Sequence, residues 1–218
     1  MDFMETLSYP LKDIKKLVIG GLLVFPGMIL LLIPAIIALG YVIKAAGDTV
    51  RGKNELPEFD NWGYFLMKGL GYFLINISYV LIACILFVPA IILFIAGGEN
   101  TALVLAGILL AVVAIVPAFI LLIMAYIALV RYGEKENIGE AFAFGEIFRN
   151  LKANLGEYIV GFIFIIAVSI GLGILQAILQ ITIIGIIFLG VIYFYSYLFY
   201  MRVFAQIYRE TKEKIGGN

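Results

Sequence analysis

Three carboxylates lie close together in the polar stretch between residues 48 and 62. Glu55, Glu58 and Asp60 are separated by three and two residues, and Trp62 ends the stretch. Hard divalent cations prefer carboxylate oxygens, so this group could hold such an ion. The spacing matches no calcium-binding loop, and a solvated loop that also caps a helix has the same composition. We therefore assign no metal site and treat these four residues as candidates for cytoplasmic docking.

Tyrosines form a second group with binding chemistry. Tyr193, Tyr197 and Tyr200 are separated by four and three residues, which places them on one face of a helix. Gln176 and Gln180 precede them in a run that is otherwise mostly apolar. Hydroxyls and amides could line a polar groove for a lipid headgroup or a small solute, whereas such tyrosines more often pack between helices. Both interpretations stay open at this point.

The residue types of most catalytic centres are absent from the apolar segments. The chain has no histidine and a single cysteine, Cys84, so a transition-metal or haem site has almost no ligands. No carboxylate lies at mid-depth in an apolar run, and no serine or cysteine stands beside a base. These absences argue against a metalloprotease, an aspartyl protease and an ion-coupled transporter. We expect no catalytic residue, cofactor or metal; an enzyme would need a site at the polar connectors.

The composition indicates a membrane protein. Hydrophobic residues make up 64% of the 218 residues and charged residues 14%, with a mean hydropathy of +1.10. Such a chain has too few polar side chains to cover a water-soluble surface. Each helical crossing takes about 20 residues, so the length allows at most about six crossings in one membrane domain. The balance of 15 basic and 15 acidic residues gives no reason to expect nucleic acid as a partner.

The apolar residues fall into three blocks, at positions 17–46, 64–130 and 158–205. The second block contains "GGEN" at Gly97 to Asn100, a turn signal that predicts a helical hairpin, and the third is interrupted near residues 176–185. The first block contains "FPGM" at Phe25 to Met28, where Pro-Gly favours a turn, and Pro34 is a second candidate kink. Its thirty residues are long for one crossing and short for two.

The distribution of basic residues favours a hairpin in the first block as well. Lysine and arginine beside membrane spans are retained in the cytoplasm. If all three blocks are hairpins, all 15 basic residues lie inside, whereas a single first crossing leaves three lysines outside. We therefore predict six segments in the cell membrane, with both termini and the connectors 48–62 and 131–157 cytoplasmic. Glu99 and Gln180 are then outside, and the polar start of the chain is not a cleaved signal peptide.

Each block is preceded by a stretch with amphipathic spacing. One helical face of the third stretch carries Ala141, Phe144, Phe148, Leu151 and Leu155. The first stretch repeats this spacing from Phe3 to Val18, with Pro10 at the start of the regular helix. In the second, Asp60 is expected to cap a helix whose lipid-facing side carries Trp62, Phe65, Leu66 and Phe73.

These patterns predict an all-α polytopic membrane protein of three helical hairpins, each preceded by an amphipathic interfacial helix. The first segment is expected to be short or partly re-entrant. The single domain, 1–218, divides into 1–46 (amphipathic start and first hairpin), 47–130 (cytoplasmic linker and second hairpin) and 131–218 (amphipathic helix, third hairpin and cytoplasmic tail).

Three functions from different classes fit these features. We rank first a non-enzymatic membrane scaffold or partner-binding module, because amphipathic helices and connectors suit docking. A passive transporter, channel or lipid-moving protein that uses the tyrosine-rich last span is second. A membrane enzyme with a site at the connectors is third. The lipid bilayer is the expected partner, with another membrane protein or a second copy of the chain as further candidates.

The chain also resembles a known family. The segments "YPLKDIKKLVIGGLL", "LGYVIKAAGDTVRGKNELPEFDNWGYFLMKGLGYF", "IGEAFAFGEIFRNLKANLGEYIV" and "YRETKEKIGG" are similar to domain-of-unknown-function family 4013, mostly archaeal integral membrane proteins. Its most specific pattern corresponds to Gly40, Tyr41, Gly52, Leu56, Pro57 and Glu58, followed by Asp60, Trp62 and Gly69. Phe59 stands where an aromatic residue, often tryptophan, is expected. The resemblance covers nearly the whole chain and implies no activity or catalytic residues.

Overall fold

The protein is an all-α helical bundle in the computed structural model, which describes residues 2–29, 32–181 and 183–216. Only the backbone is described for residues 25–29, 183, 184, 186 and 187. Two 3-10 helices, Tyr9–Leu11 and Ile138–Phe142, and no strands accompany the α-helices in these residues. The α-helices are α1 (Phe3–Ser8), α2 (Ile14–Ile29), α3 (Leu32–Val50), α4 (Trp62–Gly97), α5 (Thr101–Lys135), α6 (Phe144–Ala153), α7 (Leu155–Leu179) and α8 (Ile183–Gly216).

Several helices are suited to a membrane, which confirms the predicted class. Among the described residues, five helices are long and apolar enough to cross a bilayer: α3, α4, α5, α7 and α8 from Phe188 onward. With 36 and 35 residues, α4 and α5 are about 54 and 52 Å long. They therefore extend beyond a hydrocarbon core of about 30 Å. The 16 residues of α2 reach only about 24 Å and fall short of a full crossing.

Two of the three predicted turns lie where the sequence places them. α4 ends at Gly97 and α5 begins at Thr101, and Gly98 has a φ of +47° that favours glycine. The Asn100 side chain accepts the Ala102 N–H at 3.1 Å and so caps α5. In the third block, α7 ends at Leu179 and α8 begins at Ile183, although residue 182 is outside the described part of the chain.

The turn of the first block differs from the prediction. α2 continues through Phe25 to Met28 and ends at Ile29, so the Pro-Gly pair does not end the helix. α3 begins at Leu32 and packs against α2. Pro34 is the third residue of α3, where its missing N–H removes no helical hydrogen bond and need not cause a kink. The connection itself, residues 30 and 31, lies outside the described residues.

The second amphipathic stretch is not a separate helix. α4 is continuous from Trp62, and its cap is Asn61, whose side chain accepts the Tyr64 N–H at 3.0 Å. The assignment of the cap to Asp60 was therefore wrong by one residue. Phe65 was also expected to face lipid, but it is 2% exposed and packs against the ring of Tyr41, with ring centroids 5.5 Å apart.

The third amphipathic stretch is divided among three elements. Ala141 belongs to the 3-10 helix, Leu155 begins α7, and α6 lies between them. The buried side of α6 consists of Ile147, Asn150 and Leu151. Phe144 and Phe148, which the pattern grouped with Leu151, are exposed. At 100° per residue these three residues lie within about 60° of one another, so the predicted face straddles the edge between the buried and the exposed side of α6.

The first amphipathic stretch is divided as well. Pro10 lies in the 3-10 helix instead of starting the regular helix, and α2 begins at Ile14. Asp13 caps α2, because its carboxylate accepts the Lys16 N–H at 3.1 Å. This hydrogen bond holds the pKa of Asp13 below its ordinary value. Apolar residues on the predicted face are exposed: Phe3, Leu11, Ile14 and Val18.

α3 lies at the centre of the bundle and packs against α2, α4, α5 and α8. Glycines allow the backbones of α3 and α4 to approach each other closely. A Cβ at Gly40 would lie 1.7 Å from the Phe65 carbonyl oxygen, and a Cβ at Gly69 would lie 1.8 Å from that of Ile36. α3 and α4 therefore cross at a backbone contact that no larger residue permits.

Candidate functional site

The connector after α3 folds back onto the helices. Gly52 has a φ of +83°, a left-handed conformation that glycine adopts without strain. Leu56 is buried, and the Tyr41 hydroxyl donates a hydrogen bond to the Pro57 carbonyl at 2.7 Å. These four residues belong to the family-like pattern, so that pattern corresponds to one structural unit, a connector fastened to α3.

Aromatic rings cover this contact. The ring of Phe59 stacks on that of Tyr41, with centroids 4.1 Å apart and an angle of 12° between the planes. Trp62 lies beyond Phe59, with centroids 5.7 Å apart. The Trp62 side chain is 45% exposed and is therefore available to a lipid headgroup or a partner.

A cavity of about 420 Å³ opens beside the connector. Glu58 and Asp60, two of the four candidate docking residues, line it together with Lys44 of α3 and Glu136, which follows α5. Glu55 is exposed and, like Trp62, is not part of the wall. The structure thus brings only half of the predicted docking set into one cavity.

Asp48, a buried carboxylate, anchors the start of the connector. It faces three cations: Lys44 Nζ at 3.0 Å, Arg51 Nη1 at 3.1 Å and Lys53 Nζ at 3.5 Å. Arg51 also reaches Glu136 Oε1 at 3.3 Å. Because Glu136 follows α5, Arg51 fastens the two polar connectors to each other.

Arg202 of α8 joins both of these regions to the start of the chain. Its guanidinium donates to Glu5 Oε1 at 2.9 Å, to Thr49 Oγ1 at 2.7 Å and to the Asn54 side chain. The Arg202 side chain is only 2% exposed. Burial of a charge is costly unless it is paired, so these contacts offset a large desolvation penalty.

Tyr9 covers the other side of Arg202. The guanidinium carbon lies 4.1 Å from the centroid of the Tyr9 ring, a cation–π arrangement. Burial raises the pKa of the Tyr9 phenol, and the positive charge of Arg202 opposes this effect. The 3-10 helix that contains Tyr9 is therefore part of the same polar layer.

A second buried arginine organises the ends of α5 and α8. Arg131 donates to the Glu140 carbonyl at 3.2 Å, to the Glu140 carboxylate at 2.5 Å and to the Tyr208 hydroxyl at 3.3 Å. Tyr208 in turn donates to Glu134 Oε2 at 3.3 Å, and Lys212 pairs with the same carboxylate. The second connector is thus fastened to α8.

Lys68 is an unusual buried cation near the start of α4. It is 6% exposed, and its Nζ lies 4.3 Å from the ring centroid of Tyr132 and 5.5 Å from that of Tyr64. Attraction to the two aromatic faces compensates part of the lost hydration. This contact explains the burial of Lys68 without a ligand.

The tyrosine candidates on α8 lie between helices and are partly buried. Tyr200 shares a hydrogen bond with the Ser169 hydroxyl of α7 at 2.7 Å. Tyr193 and Tyr197 are half-buried beside the core. Gln176 and Gln180 lie at the end of α7, where the Gln180 N–H donates to the Gln176 carbonyl at 3.0 Å. The bond to Ser169 is typical of a packing role for Tyr200.

Sequence reasoning missed Arg131, Lys68 and Arg202 as organising residues, because it counted each as one member of a basic cluster. A usable signal was present. All three lie within or at the edge of an apolar run, where an ionisable side chain is costly and needs a specific partner.

Comparison with known proteins gives one significant relationship. No curated protein and no solved structure matches the chain significantly. A family model, described as "Protein of unknown function (DUF4013)", matches residues 27–181. The match includes the connector with Gly52, Leu56 and Pro57, and the helix contact between Gly40 and Gly69. It covers more than half of the 218 residues, so the chain belongs to the DUF4013 family of proteins of unknown function.

Proposed function

We propose that the protein is a non-enzymatic membrane module that docks a partner through the polar end of its helix bundle, on the cytoplasmic side of the cell membrane. One observation carries this proposal: both ends of the chain and both long connectors meet in one polar layer. Arg202 joins Glu5 to Asn54, and Arg51 joins the first connector to Glu136.

The contacts of Arg202 support a hairpin in the first block. Glu5 and Asn54 bind the same guanidinium, so they lie on the same side of any bilayer, and α2 and α3 both lie between them in the chain. A single crossing would separate these two residues by the membrane. Two segments from this block and the pairs α4–α5 and α7–α8 make six. Because α2 is short, we propose that it enters the bilayer at a tilt or only partway.

The side of the membrane follows from charge. The layer contains basic residues from every polar segment, among them Lys16, Arg51, Arg131 and Arg202. Basic residues that flank membrane spans are retained in the cytoplasm. The layer is therefore cytoplasmic, and the turns at Gly98 and after Leu179 are on the opposite side.

The surface of α6 supports an interfacial position for this helix. Its Ile147 side packs on the protein, while Phe144 and Phe148 are exposed beside the surface ion pair of Glu146 and Arg149. A helix that presents bulky apolar side chains beside charges suits the boundary between headgroups and acyl chains.

The cavity beside the connector suits docking better than catalysis. Three of the four carboxylates in its wall are already held: Asp48 by three cations, Glu58 by Lys16 at 2.6 Å and Glu136 by Arg51. A mixed pattern of charges gives specificity for a partner with the complementary pattern. Neighbouring Trp62 adds the exposed aromatic surface that interface centres favour.

Crosslinking in intact cells tests this proposal. A photo-crosslinking residue is placed at Asp60, in the cavity wall, and in a matched variant at Glu99, in the opposite turn. We expect a discrete protein adduct from position 60, weakened by Trp62→Ala, and a different pattern from position 99. If position 60 gives no protein adduct in cells that contain the natural partners of this protein, the docking role is contradicted.

A further inference from the structure

A second cavity lies where the ends of α5 and α8 meet α6, and its volume is about 250 Å³. Positive side chains from three helices line it: Arg131 and Lys135 from α5, Arg149 from α6 and Lys212 from α8. A water molecule occupies about 30 Å³ in the liquid. The cavity therefore has room for a tetrahedral oxyanion and several waters.

The acids of the wall do not neutralise all of these cations. Glu140 is paired with Arg131 and Glu146 with Arg149. Lys135 makes no ion pair with any residue that the structure describes. Lys212 is paired with Glu134, so three of the four basic side chains have an acidic partner and Lys135 supplies one positive charge in excess.

A buried neutral donor also faces this cavity. Asn150 lines it and is 5% exposed, and its side-chain oxygen accepts the Tyr158 hydroxyl at 2.6 Å. That bond orients the amide and leaves its nitrogen as the free end. Within residues 2–29, 32–181 and 183–216 this nitrogen donates no hydrogen bond to the protein, and it is not among the side-chain atoms sealed from solvent without a partner, so it is available as a donor to a molecule in the cavity.

We propose that this cavity binds a phosphate group. Phosphate oxygens accept hydrogen bonds from guanidinium, ammonium and amide groups, and charge-assisted bonds of this kind are the strongest available. Arg149 can turn to such an anion at little cost, because its pair with Glu146 is exposed to solvent. Lys135 and the Asn150 amide supply donors that no carboxylate occupies.

The phosphate can come from two sources with the same chemistry. Basic pockets on the cytoplasmic side of helix bundles hold anionic lipid headgroups, and α6 places this cavity at headgroup level if the proposed interfacial position holds. A soluble phosphate ester would enter from the water side. Only the lipid source rests on the proposed function, because a soluble anion needs no particular membrane placement.

Two binding measurements distinguish these sources. In detergent, the unfolding temperature in sodium phosphate is compared with that in sodium chloride at the same ionic strength. In nanodiscs, native mass spectrometry compares retention of phosphatidylglycerol with that of phosphatidylcholine. We expect phosphate-specific stabilisation, preferential retention of phosphatidylglycerol, or both; the arm that responds identifies the source.

The variants Lys135→Gln, Arg149→Gln and their combination test the site itself. Both side chains are exposed, so the variants should fold, and loss of two charge-assisted contacts should weaken binding about tenfold or more. Lys15→Gln is the matched control, since this exposed lysine lies elsewhere, on α2. A wild-type protein that responds in neither arm, or a double variant that responds as the wild type does, overturns the proposal.

Discussion

Arg202 and Glu5 form a hydrogen-bonded ion pair of 2.9 Å between residues that are 197 positions apart. The pair joins the last long helix to the first short one, and Asn54 of the connector binds the same guanidinium. The fold of the polar layer therefore depends on one buried charge that is shared by three distant segments.

Replacement of Arg202 should be the most damaging single change in this layer. Arg202→Met removes the donor that Thr49 and Asn54 share, and each buried acceptor left unpaired costs about 1 to 3 kcal/mol. Thermal unfolding in detergent measures the effect. Arg149→Met is the control, because its ion pair is exposed and should contribute less than about 1 kcal/mol. Equal losses in the two variants would contradict the role of Arg202.

The contact between α3 and α4 should reject even a methyl group. Gly69→Ala places a Cβ 1.8 Å from the Ile36 carbonyl oxygen, so the helices must separate. Overpacking of this kind costs about 1 to 3 kcal/mol or more. Gly63→Ala, on the same helix, meets no atom closer than 3.9 Å and should be neutral or slightly stabilising. Thermal unfolding of both variants measures these effects. An unchanged unfolding temperature in Gly69→Ala would show that the helices do not cross here.

The tyrosine face should be needed for packing and not for transport. Tyr200→Phe removes the bond to Ser169 and should cost about 1 kcal/mol. Because Ser169→Ala breaks the same bond, the double variant should cost less than the sum of the two single changes. The triple phenylalanine variant at Tyr193, Tyr197 and Tyr200 should retain its unfolding temperature to within a few degrees. If the wild-type protein moves a lipid or a solute in liposomes, and the triple variant folds but does not, the tyrosine face forms a conduit instead.

Two positions on α6 should respond differently to the same substitution. Phe148 is 52% exposed, so Phe148→Asp should leave the fold intact while it loosens the helix from the membrane surface. Ile147 is fully buried, so Ile147→Asp should destabilise the whole protein. Protease accessibility of the second connector in vesicles and thermal unfolding report these effects. Unchanged protection in Phe148→Asp would contradict the interfacial position.

Local signals predicted the parts of the fold that depend on local chemistry. The turn at Gly97 to Asn100 requires only glycine freedom and a capping side chain, and both are visible in the sequence. The turn predicted at Phe25 to Met28 was wrong, because α2 continues through these residues to Ile29, and helix-breaking residues are tolerated in membrane helices.

The position of the buried side of α6 explains why the pattern did not separate buried from exposed residues. Leu151 and Phe148 lie only about 60° apart around the helix axis, at the edge between its buried and its exposed side. The single-face pattern therefore joined Leu151, which packs on the protein, with Phe148, which is exposed. Periodicity identifies such a helix, but it does not say at which residue of the apolar face burial ends.

Long-range pairs were beyond sequence reasoning for a different reason. The partners of Arg202 and the contact between Gly40 and Gly69 depend on which helices are neighbours, and no local signal specifies this. For the same reason, sequence reasoning could not tell that only two of the four candidate docking residues line the cavity. Glu58 and Asp60 face a cavity that exists only because Glu136 and α5 approach the connector.

Cysteine labelling in intact cells tests the central claim, that the ends of the chain and both connectors share the cytoplasmic side. In a Cys84→Ala background, single cysteines replace Lys15, Lys53, Glu99 or Gln180, and a membrane-impermeant maleimide is added outside. We expect labelling of positions 99 and 180 in intact cells, and of positions 15 and 53 only after lysis. Labelling of position 15 from outside while position 53 stays protected would show a single crossing in the first block and would contradict the account.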